Sequence, residues 1–251
     1  MMDNFSKTIL KLAAVFAAIS FVLFCGSRLY TRFTPTDKKN TVGNVEYTFY
    51  DEINWIIIDA GAADIYLQTH TGISFGCRME NISISTCEAY VENDTLRITE
   101  RDPSSAVILG HNIGNSLKTE DRARIYLYVP DQTIERLKID LGLGSIRINR
   151  LQTAETIMQL GAVSLTADNL SIRQNADIRL SAGTVSIQSL AAYNFKLSNA
   201  FGTVSINMDS DTDADSNPVS FKLTGAIKKF SPNNKTFDVS VGVGNIYINK
   251  N

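Results

Sequence analysis

The sequence predicts an all-β fold, a single-stranded parallel β-helix (β-solenoid) that follows one N-terminal transmembrane helix. Three observations predict it: a short motif that recurs about every twenty residues, alternation of apolar and polar residues within each copy, and an uncharged apolar segment near the N-terminus. We therefore divide the chain into a membrane anchor or signal segment (residues 1–30), a linker (31–44) and a β-solenoid domain (45–251).

The N-terminal segment is free of charge from residue 12 to residue 26 and is flanked by Lys11 and Arg28. The 22 residues from Ile9 to Tyr30 are long enough to cross a hydrocarbon core of about 30 Å. A cleaved signal peptide is the alternative, and both interpretations export the domain that follows. The flanking charges do not determine the orientation, so the expected extracytoplasmic location rests on the character of the domain.

The recurring motif is a glycine, one residue, a branched apolar residue, a polar or small residue and a second apolar residue. Its copies begin at Gly144, Gly161, Gly183, Gly202, Gly225 and Gly244. Successive side chains of a strand point to opposite faces, so the apolar positions of the copies are expected to stack inside the solenoid. The residues between them are expected to form an outward row: Arg147, Ser164, Ser186, Ser205, Lys228 and Tyr247. The copy at Gly225 is irregular, because Lys229 occupies an inward position.

An antiparallel β-sandwich is the alternative fold, since short strands joined by glycine turns also occur there. The less regular stretch from Val45 to Arg101 is interpreted as the first coils and cap of the same domain.

The charge balance excludes nucleic acid as a partner. From residue 40 onward the chain has 18 basic and 24 acidic residues, and binding to phosphate backbones depends on clustered Lys and Arg. The two histidines have no second Cys or His nearby, which argues against structural zinc and against histidine-based catalysis. No cofactor and no catalytic residue are predicted.

Two cysteines, Cys77 and Cys87, lie ten positions apart in neighbouring strand-like segments. In an oxidising compartment they are candidates for a disulfide between adjacent strands, and two separate, partly buried thiols are the alternative.

The acidic run Asp209, Asp211, Asp213 and Asp215 is a weak candidate for calcium binding. An EF-hand loop requires glycine at its sixth position and glutamate at its twelfth, where this chain has Ala214 and Ser220. A solvated acidic insertion between two coils is the alternative interpretation.

Two further groups were weighed as functional sites. Thr184, Ser186, Thr203 and Ser205 form a small grid of hydroxyl groups on two coils, but Arg147 and Ala162 at matching places interrupt it, so ordinary solvent-facing positions explain it. Asp59 and Asp140 occupy similar positions before their turns, yet Gln159, Ser181 and Ser198 follow, so no column of carboxylates for general acid and base catalysis is expected.

Several segments, in order, resemble a bacterial family of putative adhesin domains of unknown function, which are built of repeated β-strands behind a single membrane span. They are INWIIIDAGAADIYL, TLRITER, IYLYVPDQTIERLKIDLGLGSIRI and the successive GTVSI coils. The resemblance implies a parallel β-helix on the outer side of the membrane, linked to surface attachment or envelope stress responses, without assigned catalytic residues.

The function expected from these observations is non-enzymatic. The chain is predicted to be a membrane-anchored extracytoplasmic domain that binds or scaffolds an envelope component or a protein partner. Two alternatives remain: self-association through an unpaired strand near Ile246 at the end of the solenoid, and an enzyme that acts on a surface glycan.

Overall fold

The computed structural model describes residues 42–83, 87–100, 106–108, 111–113, 122–208, 221–224, 227–230 and 236–250. All of them belong to one compact unit, residues 40–251. The predicted membrane segment and most of the predicted linker lie outside the described residues. Within the described part of the chain, no helix is long and apolar enough to span a membrane.

Most of the described residues belong to β-strands. The strands are β1 (Val42–Phe49), β2 (Trp55–His70), β3 (Phe75–Ser83), β4 (Cys87–Glu92), β5 (Thr95–Glu100), β6 (Ala106–Ile108), β7 (His111–Ile113), β8 (Ala123–Pro130), β9 (Thr133–Met208), β10 (Phe221–Thr224), β11 (Ile227–Phe230) and β12 (Thr236–Lys250).

The body of the domain is a stack of coils whose strands pair in parallel. β2 pairs in parallel with the first coil of β9, and β12 pairs in parallel with its last coil. Each coil has a first straight segment, such as Arg136–Leu141, and a second one, such as Ser145–Asn149, with a corner between them. The predicted all-β, solenoid-like fold is therefore confirmed, and the antiparallel sandwich is wrong for the body of the domain.

Glycines at the corners let successive coils approach each other closely. Gly144, Gly183, Gly202 and Gly244 have φ between 137° and 149°, a region that other residues rarely adopt. A Cβ atom at Gly202 would lie 1.8 Å from the carbonyl oxygen of Gly183 in the coil beneath. Only glycine fits this position without moving the backbone.

The coil that begins at Gly161 stacks on its neighbours in a different register from the one that alignment of the motif glycines predicts. A Cβ atom at Gly183 would lie 1.8 Å from the carbonyl oxygen of Val163, and one at Gly161 would lie 2.2 Å from that of Gly142. Gly183 therefore stacks on Val163 and not on Gly161, so this coil is shifted by two residues. The inward column consists of Ile65, Ile146, Leu165, Val185, Val204 and Ile246, all buried.

Polar groups inside the coils are hydrogen-bonded at most of their atoms. The hydroxyl groups of Thr153 and Thr156, both fully buried, are 2.7 Å apart. The Glu100 carboxylate accepts a hydrogen bond from the Gly61 backbone N–H at 3.0 Å and so completes the first corner. Asn199 is 2% exposed and donates from Nδ2 to the Gly183 carbonyl oxygen at 3.1 Å, while its Oδ1 has no hydrogen-bond partner among the described residues.

Antiparallel strands cover both ends of the stack. At the first end, β1 pairs with β3, β3 with β8, and β4 with β5. At the other end, β10 and β11 both run antiparallel to β12. The segment Ile227–Phe230, in which Lys229 interrupts the apolar alternation of the motif, belongs to this cap and not to the parallel coil that the motif predicted.

The cap also covers the strand edge near Ile246 at which self-association was predicted. Ile246 pairs with Leu223 of β10 on one side and with Val204 of β9 on the other. The backbone near Ile246 is therefore paired on both sides.

Candidate binding surface

Two outward faces are formed by the segments Arg136–Leu141 and Ser145–Asn149 and by their equivalents in the other coils. The first-strand face consists of Trp55, Ile57, Asp59, Arg136, Lys138, Asp140, Glu155, Ile157, Gln159, Asn175, Asp177, Arg179, Asn194, Lys196, Ser198, Asp238 and Ser240. The second-strand face consists of Asp64, Tyr66, Gln68, Ser145, Arg147, Asn149, Ser164, Thr166, Asp168, Thr184, Ser186, Gln188, Thr203, Ser205, Asn207, Asn245, Tyr247 and Asn249.

Charges on the first-strand face pair with one another. Arg136 contacts the Glu155 carboxylate at 2.7 Å, and its guanidinium lies 4.5 Å from the centre of the Trp55 ring. Arg179 contacts Asp177 at 2.6 Å, and this hydrogen bond holds the pKa of the Asp177 carboxyl below its usual value. A cavity of about 490 Å³ lies beside these residues.

The second-strand face is dominated by uncharged polar groups in rows that run from coil to coil. Ser145, Ser164, Thr184 and Thr203 share one row, and the Ser164 and Thr184 hydroxyl oxygens are 3.0 Å apart. Thr166, Ser186 and Ser205 follow in the next row. Sequence reasoning missed the extent of this array because aligning the glycines put Ala162 where the structure has Ser164.

Amide side chains form a third row on the same face. Asn249 donates from Nδ2 to Oδ1 of Asn207 at 2.9 Å. Asn207 in turn donates to Oε1 of Gln188 at 3.5 Å. Asp168 and Asn149 continue this row toward the first coils.

A cavity of about 650 Å³ opens at the first-coil end of the second-strand face. Its lining includes Tyr66, Gln68, Arg147, Asn149, Thr166 and Asp168. One wall is a stack in which the Arg147 guanidinium lies 5.9 Å from the centre of the Tyr66 ring and the Tyr66 ring lies 4.7 Å from that of Tyr126. Arg78 closes the other end of the stack, 4.7 Å from the centre of the Tyr126 ring.

The two candidate disulfide residues, Cys77 and Cys87, are both buried. Cys77 lies on β3 between Tyr47 and Leu127, whereas Cys87 lies on β4 opposite Glu100. The strands of the two cysteines thus pair with different neighbours in the sheet, and the disulfide stays a prediction. Burial raises the pKa of the Cys77 thiol to about 12.

The acidic residues weighed as sites fall into two groups, one outside the described residues and one on the first-strand face. The calcium candidates Asp209, Asp211, Asp213 and Asp215 lie outside the described residues. Asp59 and Asp140 are direct neighbours in the parallel ladder. The next two coils have Gln159 and Arg179 at the same position of the face. In the described ranges, no three His, Cys, Asp or Glu side chains are close enough to hold a metal ion.

His70 organises the turn between β2 and β3. The Gly72 backbone N–H donates to Nδ1 of His70 at 3.0 Å, so the proton is on Nε2, which donates to the Ser74 carbonyl oxygen at 2.9 Å. Both ring nitrogens are thus used within the turn. The side chain of His111 is outside the described part.

Comparison with known families identifies the fold family. The family model described as Toastrack DUF4097 matches residues 53–249. The chain belongs to this Toastrack family. The coils and both outward faces fall within the matched range.

Solved structures at low identity resemble this Toastrack chain over most of its length. A "putative cell adhesion protein" from Clostridium sporogenes is 10% identical, with a TM-score of 0.37 over 83% of this chain and 100% of that one. A "putative adhesin" from Parabacteroides merdae is 9% identical, with a TM-score of 0.26 over 68% of this chain and 85% of that one. A "putative lipid binding protein" from Parabacteroides distasonis is 12% identical, with a TM-score of 0.24 over 68% and 86%. No curated protein matches the sequence.

Proposed function

We propose that this Toastrack protein is a non-enzymatic binding module of the bacterial envelope, held at the membrane by its N-terminal segment and displayed on the extracytoplasmic side. Its partner is an envelope component or an envelope protein, in surface attachment or in the response to envelope stress. The observation that carries the proposal is the pair of outward faces, which continue from coil to coil in parallel register.

A surface that repeats in this way suits an extended partner. Each coil adds one row of side chains at the strand spacing of about 4.8 Å, and stacked repeats in general present extended binding surfaces. On the first-strand face two arginines are held in ion pairs, Arg136 with Glu155 and Arg179 with Asp177. This pairing favours a recognition surface over a site for acid and base catalysis.

Support for the membrane location comes from the sequence. The uncharged stretch from residue 12 to residue 26 precedes the described domain and is separated from it by a polar segment that contains Pro35. This order of anchor, linker and domain is the one expected for a tethered module.

Cysteine labelling of the full-length protein tests the location. Gln159 is exposed on the first-strand face, whereas Cys77 and Cys87 are buried. We expect a membrane-impermeant maleimide to label Gln159→Cys in intact cells. Labelling that appears only after permeabilisation would place the domain on the cytoplasmic side and refute the proposal.

Two controls make the result interpretable. The unaltered chain gives the background from its own cysteines, including Cys25 in the predicted membrane segment. Ala176→Cys, at a buried position, is expected to react only after denaturation, which confirms that the domain is folded during labelling.

Photo-crosslinking in the same cells tests the binding role. A photoreactive residue is placed at Gln188 on the second-strand face or at Gln159 on the first-strand face, both exposed. A specific adduct from one face and not from the other supports a binding module and identifies the face. The same diffuse background from both would argue against one.

A further inference from the structure

The cavity on the second-strand face has the size of a small-ligand site. Its volume of about 650 Å³ lies within the range of roughly 300–1,000 Å³ that is typical of such sites. Two charged side chains line it, Arg147 and Asp168, and within the described residues neither has an ion-pair partner. The amides of Gln68 and Asn149 and the hydroxyl of Thr166 complete the lining.

These groups are chemically balanced between donors and acceptors. The guanidinium of Arg147 only donates hydrogen bonds, the carboxylate of Asp168 only accepts them, and amides and hydroxyl groups do both. The charges of Arg147 and Asp168 cancel. A ligand without net charge that carries many hydroxyl or amide groups can satisfy all of them.

The polar rows extend this chemistry beyond the cavity. From Asn149 the amide row continues through Asp168, Gln188 and Asn207 to Asn249. This row crosses four strand spacings, or about 19 Å, and the rows of serine and threonine run parallel to it. The hydroxyl groups of an extended sugar chain both donate and accept hydrogen bonds, so they match the side chains along these rows.

The composition of the face disfavours other occupants. The large apolar side chains that are exposed in the described structure are Tyr50, Trp55, Ile73, Tyr90, Tyr193, Phe201 and Val243. None belongs to the second-strand face, so the face has no apolar wedge for a lipid bilayer. A single unpaired cation, Arg147, does not supply the clustered positive charge that polyanions require.

We propose that the second-strand face binds a linear, uncharged glycan chain, with the cavity at Arg147, Asn149 and Asp168 as its principal subsite. The proposal deepens the envelope-binding function and rests on it for its biological setting. The contacts are hydrogen bonds from the cavity and from the polar rows, and the glycan is bound without being cleaved.

Titration of the purified full-length protein in detergent with cellohexaose and with chitohexaose tests the proposal. We expect calorimetry to show binding of at least one of these uncharged hexasaccharides. The triple variant Arg147→Ala, Asn149→Ala, Asp168→Ala is expected to bind about tenfold more weakly or worse, the equivalent of about 1.4 kcal/mol. All three side chains are exposed, so the fold is retained, which circular dichroism checks.

A matched control removes the same kinds of side chain elsewhere. Lys138→Ala, Gln159→Ala and Glu88→Ala together remove one cation, one amide and one acid, all exposed and all away from the second-strand face. This control is expected to bind like the unaltered protein.

The outcomes separate this proposal from the envelope-binding function. Equal loss in both triple variants, or no binding of either hexasaccharide, overturns the glycan site, whereas the cysteine labelling and crosslinking results stand by themselves. If the unaltered protein and the control bind phosphatidylglycerol vesicles and the cavity variant does not, the occupant is a lipid. That result would also overturn the glycan site. If the unaltered protein sediments as a dimer and the cavity variant as a monomer, the occupant is a second copy of the chain. That result would overturn the glycan site too.

Discussion

The rings of Tyr66 and Tyr126 stack face to face, with centroids 4.7 Å apart and planes 11° apart. Tyr66 belongs to β2 and Tyr126 to β8, which pair in parallel. Arg147 and Arg78 lie over the two outer ring faces. Four side chains from four different strands thus form one stack that links the first coil to its cap.

Replacing Tyr66 by leucine is expected to lower the free energy of unfolding by about 1–2 kcal/mol, because the ring stack and the contact with Arg147 are both lost. Urea unfolding of the two proteins measures the difference. Tyr193→Leu is the control, since Tyr193 is exposed and has no stacking partner among the described residues. An equal effect of both substitutions would show that the stack contributes no specific stability.

Gly202→Ala is expected to destabilise the domain by about 3 kcal/mol or more, because it combines an unfavourable φ with a backbone clash. At this position φ is 137° and the added Cβ would lie 1.8 Å from the Gly183 carbonyl oxygen. Thermal unfolding measures the loss. Gly76→Ala is the comparison, since its Cβ would meet only the Tyr128 side chain, at 3.3 Å, and a similar loss there would contradict the corner argument.

The buried hydroxyl pair Thr153 and Thr156 is expected to behave as a unit. Thr153→Val or Thr156→Val alone leaves one buried hydroxyl group without its 2.7 Å partner, which costs about 1–3 kcal/mol. The double substitution removes both groups and is expected to cost less than the sum of the single changes. A double-mutant cycle in urea measures the coupling, and strict additivity would mean that the two threonines do not depend on each other.

Cys77 makes the stability depend on pH in the alkaline range. Its pKa is raised from 9.0 to about 12 by burial, so the folded state retains a proton that the unfolded state loses. The stabilisation is complete below pH 9 and is lost as the pH rises toward 12, with a slope of up to about 1.4 kcal/mol per pH unit. Unfolding at a series of pH values measures it.

Cys77→Val is the matched control for this pH dependence, because valine fills the core position without a titratable group. The variant is expected to lack the decrease in the free energy of unfolding that Cys77 causes between pH 9 and pH 12. Identical pH profiles for the two proteins would show that the thiol titrates in the folded state as it does in the unfolded one.

The ends of the domain illustrate why part of the fold could not be predicted. The segment from Gly225 to Lys229 has the glycine and the branched apolar residue of the motif, and only Lys229 departs from it. In the structure Ile227–Phe230 pairs antiparallel with β12. Whether a short alternating strand joins the stack or folds back on it depends on pairing with distant residues, which local alternation does not encode.

The cysteines show the same limit. Their alternation with polar neighbours indicates that Cys77 and Cys87 both face inward, and both are buried. Their spacing of ten residues suggested adjacent strands, whereas β3 and β4 have different partners. Proximity in sequence determines which side a residue faces but not which strand lies beside it.

The sequence by itself determined the solenoid and its inward residues, because alternation of period two and a spacing near twenty residues are both local properties. Only the tertiary structure decided the register of the coil at Gly161. A shift by two residues preserves the alternation, so Val163 faces inward in either register, and the packing of Gly161 on Gly142 selects one of them. That choice brings Ser164 beside Thr184 and creates the continuous polar face on which the proposed glycan site depends.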